Sequence, residues 1–278
     1  MSWLQRMANA VRAVVAPVPA VASELWLQAI AGYPFLQSLP LQEQAKLRAL
    51  SALFLQHKQF HGAHGLKVSD AMAVTIAAQA CLPLLHWGEA RSALRNYDDF
   101  VGIVVHPATM VATRDTLDEN GIVHRHRQLL DGEAMERGPV TLSWQAIADS
   151  GAHAERGSNV VIHEFMHKID MRNGHADGYP PLPAGFMGTA SAAQARQRWL
   201  GTWQPAFARF REAVAKAQRF GEPAPWLDAY GATAPGEFFA VACEAYFVNR
   251  PHFQAEWPEL DRMLQAYFQP LNTPSTAT

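Results

Sequence analysis

The chain has 278 residues, 49% of them hydrophobic, which is enough to build a substantial core in one large domain or two small ones without disulfides. Its two cysteines, Cys81 and Cys243, lie in apolar company, which argues against a disulfide-stapled secreted scaffold and favours a cytoplasmic protein. A formal net charge of -2, from 23 Lys+Arg and 25 Asp+Glu, provides no extended positive field, so nucleic acid is not an expected partner.

The N-terminus, residues 1–22, is predicted to be an arm that precedes the folded part. Arg6 and Arg12 are followed by an apolar run that is far shorter than the roughly 20 residues of a bilayer span, so we expect no membrane association. Pro17 and Pro19 interrupt the helix that the apolar part of a signal peptide forms. The pattern therefore favours an amphipathic or mobile arm over a cleaved signal.

Residues 23–95 are predicted to form a helical N-terminal region. Apolar residues recur there at steps of three and four with polar residues between them, which is the spacing of amphipathic helices. Ser69 and Asp70 can cap a helix over residues 71–85 that is apolar nearly all round, so we expect that helix to be buried.

The character of the sequence changes between residues 99 and 144. Short β-branched runs at residues 101–105 and 139–144 are separated by turn signals such as Asn120-Gly121, which predicts the strands and hairpins of a small sheet. The run Leu142-Ser143-Trp144 is interpreted as an edge strand that lines a cleft, where an extended peptide could add by main-chain hydrogen bonds.

Helical signals return at residues 160–172. Ser158-Asn159 can cap a helix there, and Asn173-Gly174 supplies the expected stop. A metal-binding motif, HEFMH, lies on this predicted helix.

The rest of the chain is predicted to be mostly helical. A long stretch after residue 188 carries an aromatic stripe and is expected to be broken or restarted around Gly201 and Pro205. Another helix is predicted at residues 235–249, and the Pro-rich tail at residues 270–278 is expected to be disordered. Residues 96–269 thus form a second region, expected to make one compact unit with the first.

The motif has the spacing that metal chemistry needs. His163 and His167 are four residues apart, so on a helix they project from one face and can both reach one metal ion. Glu164 points in a neighbouring direction, where it can take a proton from zinc-bound water and hand it to a departing amine. Zinc lowers the pKa of that water to about 7 and polarises the scissile carbonyl. The alternatives are a surface helix with incidental His and Glu, and a structural zinc site without turnover.

A catalytic zinc keeps three protein ligands, so a third must come from elsewhere in the chain. The helix predicted at residues 235–249 is apolar on every face except at Glu237 and Glu244, which are seven residues apart and share a side. Because burying an unpartnered carboxylate is expensive, both are expected to face a cation, an arginine or strong donors. The spacing alone leaves open which of the two is the ligand.

Several stretches resemble the Mlc titration factor A family of zinc peptidases. They are residues 159–170 (NVVIHEFMHKID), 142–144 (LSW), 230–241 (YGATAPGEFFAV), 54–60 (FLQHKQF) and 77–83 (AAQACLP). The similarity spans most of the chain outside the two ends.

The resemblance implies an α+β, zincin-like metallopeptidase with a largely helical N-terminal half and a small mixed or antiparallel sheet next to the HExxH helix. Residues 96–269 would be its catalytic region. It implies that one zinc ion is bound by His163, His167 and Glu237, and that Glu164 is the catalytic base. It also implies that Tyr230 hydrogen-bonds the tetrahedral oxyanion, a task suited to a hydroxyl donor.

Two further carboxylates are expected to accept hydrogen bonds near the ligands without binding the ion. Glu244 is then left to orient a histidine ligand, and Asp170 is expected to accept a hydrogen bond from an imidazole or its surroundings rather than bind the ion. The family suggests aminopeptidase-like action on short peptide substrates. It also raises a second hypothesis, a regulatory protein that binds and sequesters a transcriptional repressor such as Mlc.

Overall fold

The structure is a computed structural model that describes residues 20–117, 123–130, 132–136, 138–151 and 154–270. Most of the predicted arm, residues 1–19, and the tail at residues 271–278 lie outside this part of the chain, as does the predicted turn at Asn120-Gly121. Among the described helices, none is both long and apolar enough to cross a membrane.

The described elements are numbered here in chain order. The helices are α1 Ser23–Ile30, α2 Pro34–Gln37, α3 Leu41–His57, α4 Asp70–Cys81, α5 Ala90–Leu94, α6 Trp144–Ser150, α7 Val160–Asp170, α8 Ala192–Phe220, α9 Pro235–Val248, α10 Arg250–Glu256 and α11 Pro258–Phe268. The strands are β1 Gln59–Gly62, β2 Gly102–His106, β3 Met110–Leu117, β4 Val123–Leu130, β5 Gly132–Ala134 and β6 Val140–Ser143.

Four strands form one mixed sheet in the order β1-β2-β6-β5, and β3 and β4 pair with each other as an antiparallel hairpin. In the sheet, β1, β2 and β6 run parallel, with Ile103 between Phe60 and Val140, whereas β5 runs antiparallel to β6. Helix α7 packs against β5 and β6 on one side and against α4 and α9 on others. The predicted α+β class, with a small mixed sheet next to the HExxH helix, is confirmed.

The sheet begins earlier in the chain than predicted. Residues 23–95 are not helical throughout, because α3 ends at His57 and residues 59–62 form β1. This strand has four residues, and its partner β2 begins 40 residues later. A strand this short carries too little alternation to be recognised, and its formation depends on a distant partner.

The predicted edge strand is also wrong in detail. β6 ends at Ser143 and lies between β2 and β5, so its main chain is already paired on both sides, and Trp144 starts α6. The edge next to the motif helix is β5 instead. β6 alternates apolar and polar residues, with Val140, Leu142 and Ser143 buried and Thr141 partly buried. Such an alternation does not tell an interior strand from an edge strand.

The expected break around Gly201 and Pro205 does not occur, since α8 is continuous from Ala192 to Phe220. Both residues lie on the exposed face of α8, opposite the buried stripe of Trp199, Trp203 and Phe210. A proline there removes one backbone hydrogen bond, but water can solvate the carbonyl that is left over. Packing of the aromatic stripe then outweighs the local cost.

Candidate metal centre

Three predicted ligand atoms converge on one point between α7 and α9. The Nε2 atoms of His163 and His167 lie 3.1 Å apart, and Oε2 of Glu237 lies 3.0 Å from the first and 3.1 Å from the second. These residues form a His/His/Glu group that could hold a metal ion. The structure therefore brings together a local pair and a carboxylate that is 70 residues further along the chain.

The histidine pair is positioned by the way in which α7 starts and packs. Asn159 caps the helix by accepting a hydrogen bond from the backbone N–H of Ile162 at 2.9 Å, as predicted. Phe165 points to the opposite side, where its ring lies 4.9 Å from Tyr97 and 5.7 Å from Phe54 in the core. Because Phe165 fixes the rotation of the helix, the histidines are turned toward the cleft.

Glu237 is positioned by the aromatic residues that follow it on α9. Phe238 and Phe239 each lie 5.6 Å from the ring of Trp203 on α8, in edge-to-face contact. The first turn of α9 also sits tightly on the loop after α7, because a Cβ on Gly236 would lie 2.4 Å from the carbonyl oxygen of Ala176. A side chain at that position would force the ligand-bearing turn away from the loop.

Glu244 ties the two helices together. Its Oε1 lies 2.7 Å from Nδ1 of His163, and its Oε2 accepts a hydrogen bond from the backbone N–H of Asn159. The Asn159 side chain in turn donates to Oε1 of Gln79 on α4 at 2.6 Å. Since a carboxylate oxygen accepts, we place the His163 proton on Nδ1, which leaves the Nε2 lone pair directed at the convergence point.

The donor set fits a metal ion. The Nε2 lone pair of His163 faces Oε2 of Glu237 at 3.0 Å, and two lone pairs that close repel each other unless a cation or a proton lies between them. Separations of 3.0–3.1 Å among three ligand atoms are close to the spacing of about 3.3 Å that a tetrahedral ion with bonds of about 2.0–2.1 Å imposes. Two imidazoles and one carboxylate are ligands typical of catalytic zinc.

Glu164 is buried beside this group, with 5% of its surface exposed. Burial raises the pKa of its carboxyl to about 8, with His163 opposing the shift and Glu237 adding to it. Burial alone would raise the pKa of Glu237, but in the ion-free site protonated His163 and His167 outweigh burial and hold that pKa well below its usual range. The two carboxyls thus differ as expected of a group that exchanges a proton and a group that holds a cation.

Of two further predicted residues, Tyr230 lines the cleft and Asp170 does not. Tyr230, in the 3-10 turn Ala229–Ala232, lines the cleft, and its ring centroid lies 6.0 Å from that of His163. Asp170 is fully buried and accepts a hydrogen bond from the backbone N–H of Gly178 at 2.8 Å. Asp170 therefore holds the loop after α7 and is outside the convergent ligand group.

A cleft of about 610 Å³ is lined by the His/His/Glu group, Glu164 and Tyr230. Its wall includes β5 residues Gly132, Glu133 and Ala134, together with Asp149 and Asp228. A volume of this size admits a short stretch of peptide rather than an ion alone. The arrangement is a His/His/Glu group that could hold an ion, with a buried carboxyl next to it, in a cleft whose wall includes β5.

The family described as glucose-regulated metallo-peptidase M90 matches residues 6–269, nearly the whole chain. The chain belongs to the glucose-regulated metallo-peptidase M90 family. Among its relatives, Mlc titration factor A of Salmonella arizonae is 35% identical over 248 residues, which are 88% of this chain and 90% of that protein. Mlc titration factor A of Escherichia fergusonii is 34% identical over 246 residues, 88% of this chain and 85% of that protein. The resemblance seen in the sequence is confirmed.

This M90 chain contains site residues that the sequence did not reveal. The sequence indicates no site residue at Gly132 or Glu133, yet both lie in β5 and line the cleft. Asn159 was assigned as a cap, but its backbone N–H also holds Glu244, and Gln79 of the N-terminal region supports it. The sequence does contain a signal for this contact. Gln79 is a polar residue in the apolar helix α4, and a buried amide needs a hydrogen-bond partner.

Proposed function

We propose that this chain hydrolyses peptide bonds with one zinc ion held by His163, His167 and Glu237. The observation that carries the proposal is the convergence of three ligand atoms within 3.1 Å of one another, beside a buried carboxyl and inside a cleft large enough for a peptide. Membership of a metallopeptidase family supports the same reaction class.

In this proposal the chain's own groups move the proton and orient the peptide. A zinc ion, when bound, acidifies water and polarises the scissile carbonyl. Glu164 accepts the proton of the attacking water and delivers it to the departing amine, as a carboxylate next to the ligand group can. The Tyr230 hydroxyl donates a hydrogen bond to the carbonyl oxygen as negative charge develops on it. Strand β5 is the last strand of the sheet among the described residues and lines the cleft, where an extended peptide could add by main-chain hydrogen bonds.

We propose further that the activity is aminopeptidase-like on short peptides. Glu133, Asp149 and Asp228 add three carboxylates to the wall of the cleft, and the lining contains no Lys or Arg within the described part of the chain. A wall of this charge attracts the ammonium group of a peptide's N-terminus and provides no cationic partner for a C-terminal carboxylate.

Hydrolysis of peptide p-nitroanilides by the purified protein tests the reaction. With zinc, we expect turnover that falls about 10²–10⁴-fold in Glu164→Gln, because the base is lost while the shape is kept. Zinc content, measured by plasma emission, should stay at one ion per chain in Glu164→Gln and fall in Glu237→Ala. No turnover by the wild type, or equal turnover by Glu164→Gln, would refute the peptidase proposal.

The same assay separates the aminopeptidase proposal from general peptidase action. A substrate with a free amino terminus should be hydrolysed about 10–100-fold faster than its N-acetylated form, since a charged hydrogen bond is lost on acetylation. Equal rates for the two substrates would leave a peptidase without amino-terminal selectivity.

Repressor binding is a second candidate function, and the observation that favours it is the name shared by the relatives, Mlc titration factor A. A partner of this kind requires a cytoplasmic location, which stays a prediction for this chain. Capture of an Mlc-like repressor by the immobilised protein, with His163→Ala as a comparison, tests it. Binding that survives the loss of the metal site would indicate a role separable from catalysis, and no binding by either form would remove this candidate.

A further inference from the structure

Strand β5 approaches the catalytic carboxyl so closely that only a glycine fits. A Cβ on Gly132 would lie 2.5 Å from Oε1 of Glu164 and 2.6 Å from its Cγ, distances that real Cβ atoms do not show. Gly132 is itself buried, and its φ lies outside the left-handed region. The glycine is therefore needed for space and not for its backbone conformation.

Strand β5 is held on one side by its pairing with β6 and just beyond its C-terminal end by a side-chain hydrogen bond. Gly132 pairs with Leu142 and Ala134 with Val140 in the ladder with β6, so the backbone of β5 is held by the sheet. Just beyond the strand, the carbonyl oxygen of Met135 accepts a hydrogen bond at 3.0 Å from Nζ of Lys168.

The Lys168 side chain is held in place by burial and by an ion pair. It follows His167 on α7, it is fully buried, and its ammonium group pairs with Oδ2 of Asp99 at 2.6 Å. Moving β5 away from α7 would break the Lys168 bond to Met135 and leave a buried charge with fewer partners, which is costly. An added methyl group at residue 132 must therefore displace the more flexible Glu164 side chain.

We infer that Gly132 is a positioning residue for Glu164: its missing side chain sets the place from which the carboxyl exchanges protons with the reacting groups. The inference rests on the proposed function, in which Glu164 is the base. Gly132 is not a member of the ligand group, so its part in the reaction is indirect.

Gly132→Ala, compared with Gly102→Ala, tests this inference in the zinc-loaded full chain. Gly102 starts β2 in the same sheet, and a Cβ there would lie 3.4 Å from its nearest neighbour, an ordinary contact. For Gly132→Ala we expect kcat to fall on the order of 100-fold with KM within about twofold, because a base displaced by about 1 Å loses its alignment. Zinc content should not change, and Gly102→Ala should retain the wild-type kcat. A wild-type kcat in Gly132→Ala would overturn the inference.

Thermal unfolding of the zinc-free protein tests the contact without any activity. Gly132→Ala should lower Tm in the wild-type background and should lower it much less in the Glu164→Ala background, since the three atoms nearest to the added Cβ all belong to that side chain. An equal fall in both backgrounds would mean that the substitution disturbs the strand generally, and would overturn the inference.

Two further results are also decisive. If Gly132→Ala alone fails to fold, recovery of folded protein in the double variant with Glu164→Ala supports the contact, and failure of both overturns it. If the wild type shows no peptidase turnover, the proposed function fails, whereas the unfolding cycle still decides whether Gly132 and Glu164 compete for one space.

Discussion

Helices α7 and α9 both supply the metal centre, but different forces hold them. Helix α7 carries its two histidines one turn apart and starts at its own cap, Asn159, so its part of the site is encoded locally. Helix α9 has no side-chain cap and is apolar on nearly every face, so the position of Glu237 depends on packing against α7 and α8. A local motif is thus completed by a residue whose place is decided by the core.

The largest expected effect comes from removing the packing that holds α9. Trp203→Ala deletes a ring that contacts both Phe238 and Phe239, and we expect the free energy of unfolding to fall by about 3–5 kcal/mol. Zinc affinity should fall with it, because Glu237 precedes these two residues. Urea denaturation and a zinc competition titration measure the two effects.

Phe220→Ala is the matched control for that prediction. Phe220 is the last residue of the same helix and is 75% exposed, so its loss should change the free energy of unfolding by less than about 0.5 kcal/mol. If Trp203→Ala weakened neither stability nor zinc affinity beyond this control, the dependence of α9 on the aromatic layer would be wrong.

At the end of α7, the buried carboxyl of Asp170 should make stability depend on pH. Burial raises the pKa of Asp170 from 3.8 to about 7, with the N–H of Gly178 opposing the shift. Between these values the folded chain binds more protons at Asp170 than the unfolded chain does, so the contribution of Asp170 to stability is greatest below about pH 3.8 and is lost as the pH rises toward 7. The loss is at most about 4 kcal/mol.

Asp170→Asn checks this sign, because asparagine keeps an oxygen for the Gly178 N–H but does not ionise. Measured by urea denaturation of the zinc-free protein between pH 4 and 8, the variant should gain stability relative to the wild type up to about pH 7 and then level off. Parallel pH profiles for the two proteins would show that the Asp170 carboxyl is not perturbed.

The sequence predicted the local half of the site better than the distant half. His163, Glu164 and His167 follow from helical spacing, and Asn159 follows from the chemistry of caps. Choosing Glu237 over Glu244 required a resemblance to a family, because both carboxylates share one face of a uniformly apolar helix. What separates them is the rotation and depth of α9, which tertiary packing sets.

The fold shows the same division between local and distant causes. Helices α4, α7 and α9 were predicted to within a few residues because capping and breaker residues mark their ends. Strands β1 and β5 have four and three residues, and each forms only by pairing with a strand elsewhere. The sequence therefore predicts the cleft edge at Leu142-Ser143-Trp144, whereas the structure has β5, which contains Gly132, as the edge strand next to the motif helix.

A smaller effect is expected at the start of α7. Asn159→Ala removes the cap, worth about 1 kcal/mol, and leaves Oε1 of the buried Gln79 without its donor, for a total loss of about 2–3 kcal/mol. Asn159→Ser restores the cap and should recover about half of this loss in urea denaturation. Zinc affinity should change little in either variant, because Glu244 is held by the backbone N–H, which both variants keep. A large loss of affinity would place Asn159 among the groups that hold the ion.

The smallest expected effect lies where the two helices meet. Glu244→Gln keeps the size of the side chain on α9 but replaces the charged acceptor of His163 Nδ1 on α7 by a neutral one. The histidine then becomes a weaker donor of its Nε2 lone pair, so zinc affinity in a chelator competition should fall about 10–100-fold, or about 1.4–2.7 kcal/mol. Glu212→Gln, on the exposed face of α8, is the control and should bind zinc like the wild type. If Glu244→Gln also bound zinc like the wild type, α9 would contribute only Glu237, and the two helices would be coupled through the ion and the core but not through His163.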